Sequence, residues 1–432
     1  MKSPAQPDLL LILSKERCQG CTHCLRACPT EAIRIRHGKA EVMPHRCVQC
    51  GRCIQVCPRG AWEVRSDSLE KVKKYGGAVA ILDPTVFWQF GGQISPQELA
   101  EAFLEVGFSA VQDLGEALEI YGAAVSSYLS SEDRICPVIS SACPAVVQLV
   151  EVKYPSLTEN LVPIVPPLRI LASRWTDFGR RNTEEDLFYI APCLAQADAA
   201  IKALGKGKRL NGAIPLAEVY NPLKAIVSEK GRSPDASFGE EPLASGMRWA
   251  APGGESGALE NPESLVVDGI ENVANVLELA ESGLLGDVPF IEAWACTGGC
   301  LGGPLTVQDP FLARYHLMAW DRHHKGRATK GKASVDVEKF RLSRPFVSRP
   351  GMRLDEDLKV AMEKLRRIDE LVKKFPGIDC GSCGCPNCLA LAEDIIQGHA
   401  TENQCSYILK EEAARRSRPR RRRMGNLNGQ GS

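Results

Sequence analysis

Two short stretches near the N-terminus decide the fold of the first part of the chain: residues 18–29 read CQGCTHCLRACP, and residues 47–58 read CVQCGRCIQVCP. Both follow the spacing Cys-x₂-Cys-x₂-Cys-x₃-Cys-Pro. In this spacing three thiolates surround one face of a cubane, and the fourth reaches a second cluster. The motif recurs after about 29 residues, which predicts two similar halves related by a pseudo-twofold axis. These residues therefore predict a small module that holds two 4Fe–4S clusters.

The composition bounds the class of protein. The chain has 432 residues, enough for several domains, and 53 basic against 53 acidic residues, so its net charge favours neither nucleic acid nor a membrane surface. Its 18 cysteines could form disulfides, zinc sites or iron–sulfur clusters. Disulfides need an oxidising compartment, but only the short apolar run Leu9–Leu13 precedes the first motif, and no run reaches the roughly 18 apolar residues of a spanning helix. We therefore expect a cytoplasmic protein without a membrane span, whose reduced thiols bind metal.

The first eight cysteines form two ligand sets when the fourth cysteine of each motif crosses to the other cluster. We expect one 4Fe–4S cluster on Cys18, Cys21, Cys24 and Cys57, and the other on Cys47, Cys50, Cys53 and Cys28. A pair of zinc knuckles is the alternative, but two zinc sites would not exchange a ligand between them. Residues 10–65 resemble bacterial two-cluster ferredoxins, and the resemblance implies an α+β ferredoxin-like module that transfers single electrons at low potential.

The middle of the chain has the pattern of an α/β domain. From about Lys71 to Gly303, apolar strand-like runs alternate with amphipathic helical runs. The predicted buried strands are Ala78–Leu82, Pro137–Ser140, Leu187–Ala191 and Phe290–Ala293. The predicted helices are Pro96–Val106, Leu114–Leu129, Ala145–Lys153, Ala195–Leu204 and Glu271–Ser282. Residues 229–262 are rich in Gly, Pro, Ser and Glu and predict a surface insertion.

Four cysteines of this domain share one context, in which a strand ends in a tight loop and a helix begins. They are Cys143, Cys193, Cys296 and Cys300. Ligands gather at the carboxyl edge of parallel strands, and helix starts direct N–H groups toward an anionic cluster. Glycines in the third segment, residues 298–303, allow close backbone approach. The alternative is that all four are buried structural thiols. Cys136 lies outside the pattern and is interpreted as a buried thiol.

In this order, the three segments resemble the signature motifs of the FeFe-hydrogenase catalytic domain. The resemblance spans roughly residues 75–310 and includes Asp268–Leu277, a stretch that precedes the third motif in that family. It implies that the four cysteines bind a 4Fe–4S cluster and that Cys300 also bridges to a two-iron subsite bearing carbon monoxide and cyanide. The sequence leaves open whether that subsite is bound.

Four positions depart from that family's functional residues. Ala142 replaces a cysteine that relays protons, Gln196 a lysine that contacts cyanide, and Ala199 a glutamate of the proton path. Trp294 replaces a methionine of the third motif. An alanine methyl cannot carry a proton, and a positioned proton relay is worth roughly 10²–10⁴ in rate. The sequence therefore assigns no catalytic residue, argues against fast hydrogen turnover, and leaves open whether the protein is an enzyme.

A third cysteine group lies near the C-terminus. Residues 379–405 resemble a small 4Fe–4S domain of membrane redox-complex and corrinoid proteins. The resemblance implies the ligands Cys380, Cys383, Cys388 and Cys405, with Cys385 spare. Four thiolates at this spacing would also suit zinc. Leu354–Phe375, with apolar residues at helical spacing, leads into the group. The seven arginines of Arg415–Arg423 predict a disordered tail or, alternatively, a contact with an acidic partner or nucleic acid.

The sequence thus predicts a layout of several iron–sulfur units. The predicted segments are a two-cluster ferredoxin domain (1–66), an α/β hydrogenase-like domain with clusters between sheet-edge loops (67–321), a linker and helix (322–376), a small, mainly helical 4Fe–4S domain (377–412) and a basic tail (413–432). Sixteen cysteines fill four cubanes. The layout resembles the sensory branch of the FeFe-hydrogenases, which implies slow hydrogen or redox sensing, with electrons relayed through the clusters to a redox partner protein.

Two alternatives accompany this interpretation. One is a non-catalytic electron-transfer subunit that lacks the two-iron subsite. The other is an assembly factor of cytosolic iron–sulfur biogenesis. The complete eight-cysteine ferredoxin motif and the additional C-terminal domain argue against the assembly factor.

Overall fold

The computed structural model describes residues 8–75, 77–91, 94–173, 185–202, 210–230, 244–259, 263–324, 336–343 and 346–410. The basic tail predicted at 413–432, with its arginine run, lies outside these residues. No helix in the described ranges is long and apolar enough to cross a membrane.

The N-terminal module consists of two similar halves. Its elements are β1 (Leu11–Leu13), α1 (His23–Arg26), β2 (Ile33–Arg36), β3 (Lys39–Val42), α2 (Arg52–Gln55) and β4 (Trp62–Val64). Each half contains one short helix and gives one strand to each of two antiparallel pairs, β1 with β4 and β2 with β3. This arrangement agrees with the pseudo-twofold packing predicted from the repeated motif.

Two parallel sheets form the core of the central domain. Their strands are β5 (Ala78–Leu82), β6 (Ala110–Asp113), β7 (Val138–Ile139), β8 (Asp186–Ala191), β9 (Gly212–Pro215), β10 (Ser264–Asp268) and β11 (Phe290–Trp294). One sheet has the order β6-β5-β8-β9 and the other β10-β11-β7. Every residue of β5 is apolar and buried, as expected for a parallel strand with both faces covered.

Helices follow or flank these strands. They are α3 (Leu69–Val72), α4 (Pro96–Val106), α5 (Gly115–Leu129), α6 (Pro144–Lys153), α7 (Pro167–Ser173), α8 (Leu194–Ile201), α9 (Leu216–Lys230), α10 (Ala244–Arg248), α11 (Gly254–Ala258), α12 (Ile270–Glu281) and α13 (Pro310–His324). The predicted bounds of α4 are met because Ser95 and Glu98 form a capping box and Pro96 occupies the first helical position. A 3₁₀ helix, Pro84–Phe90, follows β5.

Of the surface insertion predicted at 229–262, the structure describes residues 229–230, which end α9, and residues 244–259, for which the prediction is wrong because they pack into the core. Met247, Trp249 and Glu255 are buried there. The indole of Trp249 meets the ring of Tyr121 edge to face at 5.6 Å. The glycine-rich composition reflects close backbone packing rather than exposure, since a Cβ on Gly246 would lie 2.7 Å from the Cα of Gly115.

The C-terminal part is a pair of packed helices with a cysteine-rich loop between them. The helices are α14 (Leu358–Val372) and α15 (Cys388–Ile396). Ile368 and Leu371 of α14 and Leu391 of α15 are buried in a small core of their own. The predicted fold class is confirmed: an α/β domain, an α+β ferredoxin module and a small, mainly helical domain.

This small domain docks on the ferredoxin module through a buried ion pair. Nε and Nη2 of Arg34 donate to the two carboxylate oxygens of Asp394 at 2.7 and 3.0 Å, and Nη2 of Arg36 donates to the same carboxylate at 2.6 Å. Burial alone would raise the pKa of Asp394, but the hydrogen bonds and charge of Arg34 leave it lowered. Gly384 has φ +77°, and a Cβ at this position would collide with the carbonyl oxygen of Ile35.

Candidate iron–sulfur sites

The structure groups the ferredoxin cysteines as the crossed assignment requires. Burial raises the pKa of Cys24 to about 11, and the neighbouring thiols that raise it further are Cys18, Cys57 and Cys21. Burial likewise raises the pKa of Cys53, and the thiols with the largest effect on it are Cys50, Cys47 and Cys28. The fourth cysteine of each motif therefore lies with the first three of the other motif.

Backbone amides support the two crossing cysteines in the same way. The N–H of Ala32 donates to Sγ of Cys28 at 3.2 Å, and the N–H of Ala61 donates to Sγ of Cys57 at 3.3 Å. Hydrogen bonds to sulfur stabilise thiolate and cluster charge and tune the reduction potential. In both halves the donor is an alanine four residues after the cysteine, so the two contacts are equivalent because the sequence repeats.

The central cysteines converge from the carboxyl ends of both parallel sheets. Cys143 and Cys296 follow the adjacent strands β7 and β11, while Cys193 follows β8 of the other sheet. Cys143 and Cys193 are the N-cap residues of α6 and α8, and the N–H of Gln196 donates to Sγ of Cys193 at 3.4 Å. Cys300 lies in a 3₁₀ turn, Gly299–Gly302. The predicted strand–loop–helix context thus holds for the first two motifs, and a 3₁₀ turn replaces the helix in the third.

Burial dominates the electrostatics of the four central thiols. Burial raises the pKa of all four thiols, that of Cys193 to about 12, and the neighbouring cysteines raise the pKa of Cys193, Cys296 and Cys300 further. Without metal these thiols would stay protonated at neutral pH, whereas metal coordination deprotonates a thiol outright. In the described ranges no three His, Cys, Asp or Glu residues are arranged for a single metal ion. In a cubane, each thiolate binds a different iron atom.

Glycine makes the close approach of the second and third motifs possible. A Cβ on Gly303 would collide with the carbonyl of Pro192, whose oxygen accepts from the N–H of Leu305 at 3.0 Å. Asp268, at the end of β10, accepts from the N–H of Gly298 at 2.7 Å. The stretch that precedes the third motif therefore fixes the loop that carries Cys296 and Cys300.

A cavity of about 70 Å³ is lined by Cys300 together with the residues at all four departures. Its lining includes Ala142, Gln196, Ala199 and Trp294. It is also lined by Asp83, Pro84, Leu114, Leu118, Pro144, Pro166, Pro167, Leu168, Arg169 and Trp249. The residues that replace the family's functional side chains therefore share one space, in which neither alanine can carry a proton.

Two buried glutamates behind the cavity escaped the sequence analysis. Glu255 is 0% exposed, and one of its oxygens accepts from the hydroxyl of Ser140 at 2.5 Å while Oε1 has no partner. Burial, together with the charge of Glu292, raises the pKa of Glu255 well above that of an ordinary carboxyl. Its burial beside a second carboxyl group therefore favours the protonated form of Glu255 near the first motif.

Glu292 has the opposite environment. It accepts from the N–H groups of Gly253 and Ser256, each at 2.7 Å, from the Ser256 hydroxyl, and from the indole N–H of Trp294 at 2.7 Å. Four donors suit a carboxylate, which only accepts hydrogen bonds. Sequence signals existed for both residues: Glu255 is the one acid among small residues at 253–258, and Glu292 interrupts an apolar strand.

The ferredoxin module meets the central domain at Cys50. This residue packs in the same core as Cys143, Cys193 and Cys300. The side-chain amide of Gln55 donates to the carbonyl of Gly302 at 2.9 Å. The second ferredoxin cysteine set therefore borders the central one directly.

The C-terminal cysteine loop contacts the ferredoxin module at α1. The guanidinium of Arg26, on α1, donates to the carbonyl of Cys380 at 3.1 Å, and Leu25 lies against Gly381. Cys380 is exposed, while Cys405 is buried. A hydrogen bond from Cys385 lowers the pKa of Cys383 to about 6. The cysteine loop therefore borders the helix that carries Cys24.

All 18 cysteines are free. Cys385 is 0% exposed, and its thiol donates to Asp394 at 3.4 Å, so it belongs to the buried ion-pair network. Cys136, interpreted from the sequence as a buried thiol, is exposed. That prediction is wrong because the residue lies in the loop before β7 rather than in the strand.

Three family models match the chain. "Iron only hydrogenase large subunit, C-terminal domain" matches residues 77–225 and 250–304. "4Fe-4S dicluster domain" matches residues 10–58, and an "Fe-S cluster" model matches residues 375–407. These matches define an iron–sulfur electron-transfer protein. It is FeFe-hydrogenase-like and carries a ferredoxin module ahead of its hydrogenase-like domain.

Among solved structures, the chain is similar to FeFe-hydrogenases. A structure concerned with oxygen inactivation of FeFe-hydrogenase shares 15% identity over 65% of this chain and 98% of that chain, with a TM-score of 0.47. HydA(deltaEFG), described in connection with stepwise H-cluster assembly, shares 16% sequence identity. The match covers 64% of this chain and 95% of that chain, with a TM-score of 0.45. A variant of HydA1 from Chlamydomonas reinhardtii shares 15% sequence identity over 65% of this chain and 98% of that chain, with a TM-score of 0.47. No curated protein matches the chain.

Proposed function

We propose that the protein is a slow hydrogen- or redox-responsive relay that carries electrons between the central site and the C-terminal domain through four 4Fe–4S clusters. The proposed ligand sets are Cys143, Cys193, Cys296 and Cys300 for the central cluster; Cys47, Cys50, Cys53 and Cys28 for the next; Cys18, Cys21, Cys24 and Cys57 for the third; and Cys380, Cys383, Cys388 and Cys405 for the last.

The spatial order of the four cysteine sets carries this proposal. Cys50 packs among the central cysteines, the two ferredoxin sets cross within one small module, and the C-terminal loop packs on α1. Each set therefore borders the next, and the exposed Cys380 lies at the far end. Oxidation of one hydrogen molecule releases two protons and two electrons, and each cubane accepts one electron at a time. A redox partner protein would take these electrons near Cys380.

The cavity residues support slow rather than fast hydrogen chemistry. A two-iron subsite, when bound beside Cys300, would provide the metal centre at which hydrogen reacts. Ala142 and Ala199 line that space but offer no group that could move a proton. The raised pKa of Glu255 favours its protonated form behind the first motif, where the Ser140 hydroxyl donates to its carboxyl group. Protons would therefore leave the two-iron subsite more slowly than along the family's own path. Slow proton transfer suits a sensor better than an enzyme with fast turnover.

Two measurements test the relay. Iron analysis of the protein, purified without oxygen, is expected to give about 16 iron atoms per chain. Hydrogen gas is expected to reduce the C-terminal cluster, monitored by electron paramagnetic resonance. Cys50→Ser should stop this reduction by hydrogen while a chemical reductant still reduces the cluster, and Cys136→Ser is the matched control. Equal reduction by hydrogen in Cys50→Ser would remove the ferredoxin module from the path.

The alternative function is a non-catalytic electron-transfer subunit whose central site holds only a cubane. The largely apolar lining of the cavity, with Gln196 in place of a lysine, favours it. Infrared spectra after co-expression with hydrogenase maturation proteins separate the two functions. Carbon monoxide and cyanide stretches support the sensing relay, and their absence supports the subunit. In both cases we propose a cytoplasmic location, since eighteen unpaired thiols suit a reducing compartment.

A further inference from the structure

The central cavity contains one arginine that the sequence analysis did not consider. Arg169 lies on α7 and lines the cavity together with Cys300, Gln196 and Ala142. Two prolines, Pro166 and Pro167, precede it; Pro167 is the first residue of α7, where its fixed φ suits a helix start. The N–H of Arg169 donates to the carbonyl of Pro166 at 2.9 Å. Its backbone is therefore fixed at the start of α7, next to the cavity.

Arg169 has no anionic partner among the described residues. Burial is the one influence that lowers its pKa, and no carboxylate counteracts it. Asp83 lines the same cavity, but its carboxylate accepts from the Tyr189 hydroxyl at 2.7 Å and from the N–H of Thr85 at 2.8 Å. The carboxyl nearest in the lining is thus engaged elsewhere. A partly buried guanidinium beside a cavity, without a counter-charge among the described residues, would gain from an anion that enters the cavity.

The position of this cation matches a specific deficit. The resemblance to FeFe-hydrogenases places a lysine, which contacts a cyanide ligand, where this chain has Gln196. Gln196 and Arg169 both line the cavity, one from α8 and the other from α7. The positive charge that is missing from the second motif is therefore present on a different helix. Arginine is always charged at physiological pH and offers five N–H donors.

We propose that Arg169 retains the anionic two-iron unit in the cavity and replaces the family's lysine in that role. The inference rests on the proposed function, because it assumes that the two-iron unit is bound. Arg169 acts as a positioning residue: its guanidinium donates charge-assisted hydrogen bonds to the anionic ligands of the unit, and these bonds are roughly twice as strong as neutral ones. Gln196 adds at most a neutral hydrogen bond.

The test uses the full-length chain, co-expressed with hydrogenase maturation proteins and purified without oxygen. The readouts are the intensity of the carbon monoxide and cyanide stretches per chain, the cyanide frequencies, and iron content. Arg169→Ala is expected to lower the band intensity by about tenfold, the effect of losing one hydrogen bond to a charged group. Arg169→Lys should keep most of the intensity but shift the cyanide bands. Adding Gln196→Lys to Arg169→Ala should restore the intensity, since it returns the family's cation.

Controls separate this inference from the proposed function. The cubane absorbance of each variant reports whether the protein has folded and kept its other clusters. Arg314→Gln removes an exposed arginine of α13 that does not line the cavity, and it should leave the bands unchanged. Bands of equal intensity and frequency in the wild type and Arg169→Ala would overturn the role of Arg169 alone. A wild type without any bands would overturn the sensing relay and the role of Arg169 together.

Discussion

The central and C-terminal cysteine groups solve the same ligand problem in opposite ways. The central thiols come from loops up to 157 residues apart, Cys143 to Cys300, and burial raises the pKa of every one of them. The C-terminal thiols come from one short segment, and hydrogen bonds within the loop lower the pKa of Cys380 and Cys383. The central group forms only when distant parts of the chain fold together, whereas the C-terminal group comes from the loop before α15 and from Cys405 beyond that helix.

The difference indicates how each site depends on its surroundings. In the central site, apolar packing excludes water, so only a bound cluster can offset the cost of four buried thiolates. In the C-terminal group, hydrogen bonds lower the pKa of Cys380 and Cys383 while burial raises that of Cys388, and polar contacts with the ferredoxin module place the loop. The central site should therefore fail when its packing or buried acids change, and the C-terminal site when its docking contacts change.

The largest expected effect is the loss of docking of the C-terminal domain in Asp394→Ala. Asp394→Ala leaves Arg34 buried without its partner, and removing one member of a buried ion pair costs about 3–5 kcal/mol. The C-terminal domain should then separate from the ferredoxin module, which limited proteolysis and denaturant unfolding would detect. The exposed pair Arg17–Glu63 provides the control, since Glu63→Ala should cost less than about 1 kcal/mol.

The same pair predicts a pH dependence of docking. The pKa of Asp394 is lowered in the folded protein, so its stabilising effect is complete above the ordinary carboxyl pKa, about 3.9, and is lost as the pH falls through the lower folded value. Docking should thus weaken only in acid. Weakening between pH 6 and pH 8 would contradict this assignment.

The second effect sharpens the description of the central cavity. Ala142→Cys with Gln196→Lys returns a proton carrier and a cation to the space beside Cys300. Hydrogen turnover is expected to rise by roughly 10²-fold or more if the two-iron subsite is bound. Gln196→Lys alone separates better retention of the subsite from proton transfer. No gain in a protein whose infrared spectrum shows the subsite would count against the proton-path argument.

The third effect distinguishes the two buried acids. In Glu292→Gln, an NH₂ group faces N–H donors that bond to a carboxylate oxygen in the wild type. This change should lower the free energy of unfolding by about 2 kcal/mol or more. Glu255→Gln replaces a neutral acid by a neutral amide of the same shape and should cost far less. Denaturant unfolding of both variants would measure the contrast, and a carboxylic-acid band in the infrared spectrum, lost only in Glu255→Gln, would locate the proton.

The pH dependence of this pair has a definite sign. The raised folded pKa of Glu255 means that its contribution to stability is complete below the ordinary glutamate pKa, about 4.3, and declines as the pH rises toward the folded value. Glu255→Gln removes this decline, so the variant should gain stability relative to the wild type as the pH rises. A constant difference from pH 5 to pH 8 would show that Glu255 does not hold the proton.

Local chemistry explains what the sequence could predict. The ferredoxin module follows from a spacing that acts within 40 residues, 18–57, and the strands before Cys193 and Cys296 follow from continuous apolar runs. The bounds of α4 follow from its capping box. The helix α9 was missed because Pro222 lies inside it, and a proline normally argues for a helix end.

Non-local contacts explain what the sequence could not predict. Arg34 and Asp394 are 360 residues apart, and nothing in either segment indicates the other. Arg169 lines the cavity only because α7 folds toward the second and third motifs, which periodicity cannot show. Glu255 lies in a glycine-rich stretch whose composition is typical of surface loops, yet Glu255 itself is fully buried.

The smallest effects concern the two cysteines outside the proposed ligand sets. Cys136→Ser should change stability by less than about 0.5 kcal/mol, because the residue is exposed. Cys385→Ala should cost about 1 kcal/mol, since it removes a buried thiol that bonds to Asp394. Both variants should keep their full iron content and cubane absorbance. A loss of iron in Cys385→Ala would make Cys385 a ligand in place of the exposed Cys380, and the C-terminal cluster would then be as buried as the central one.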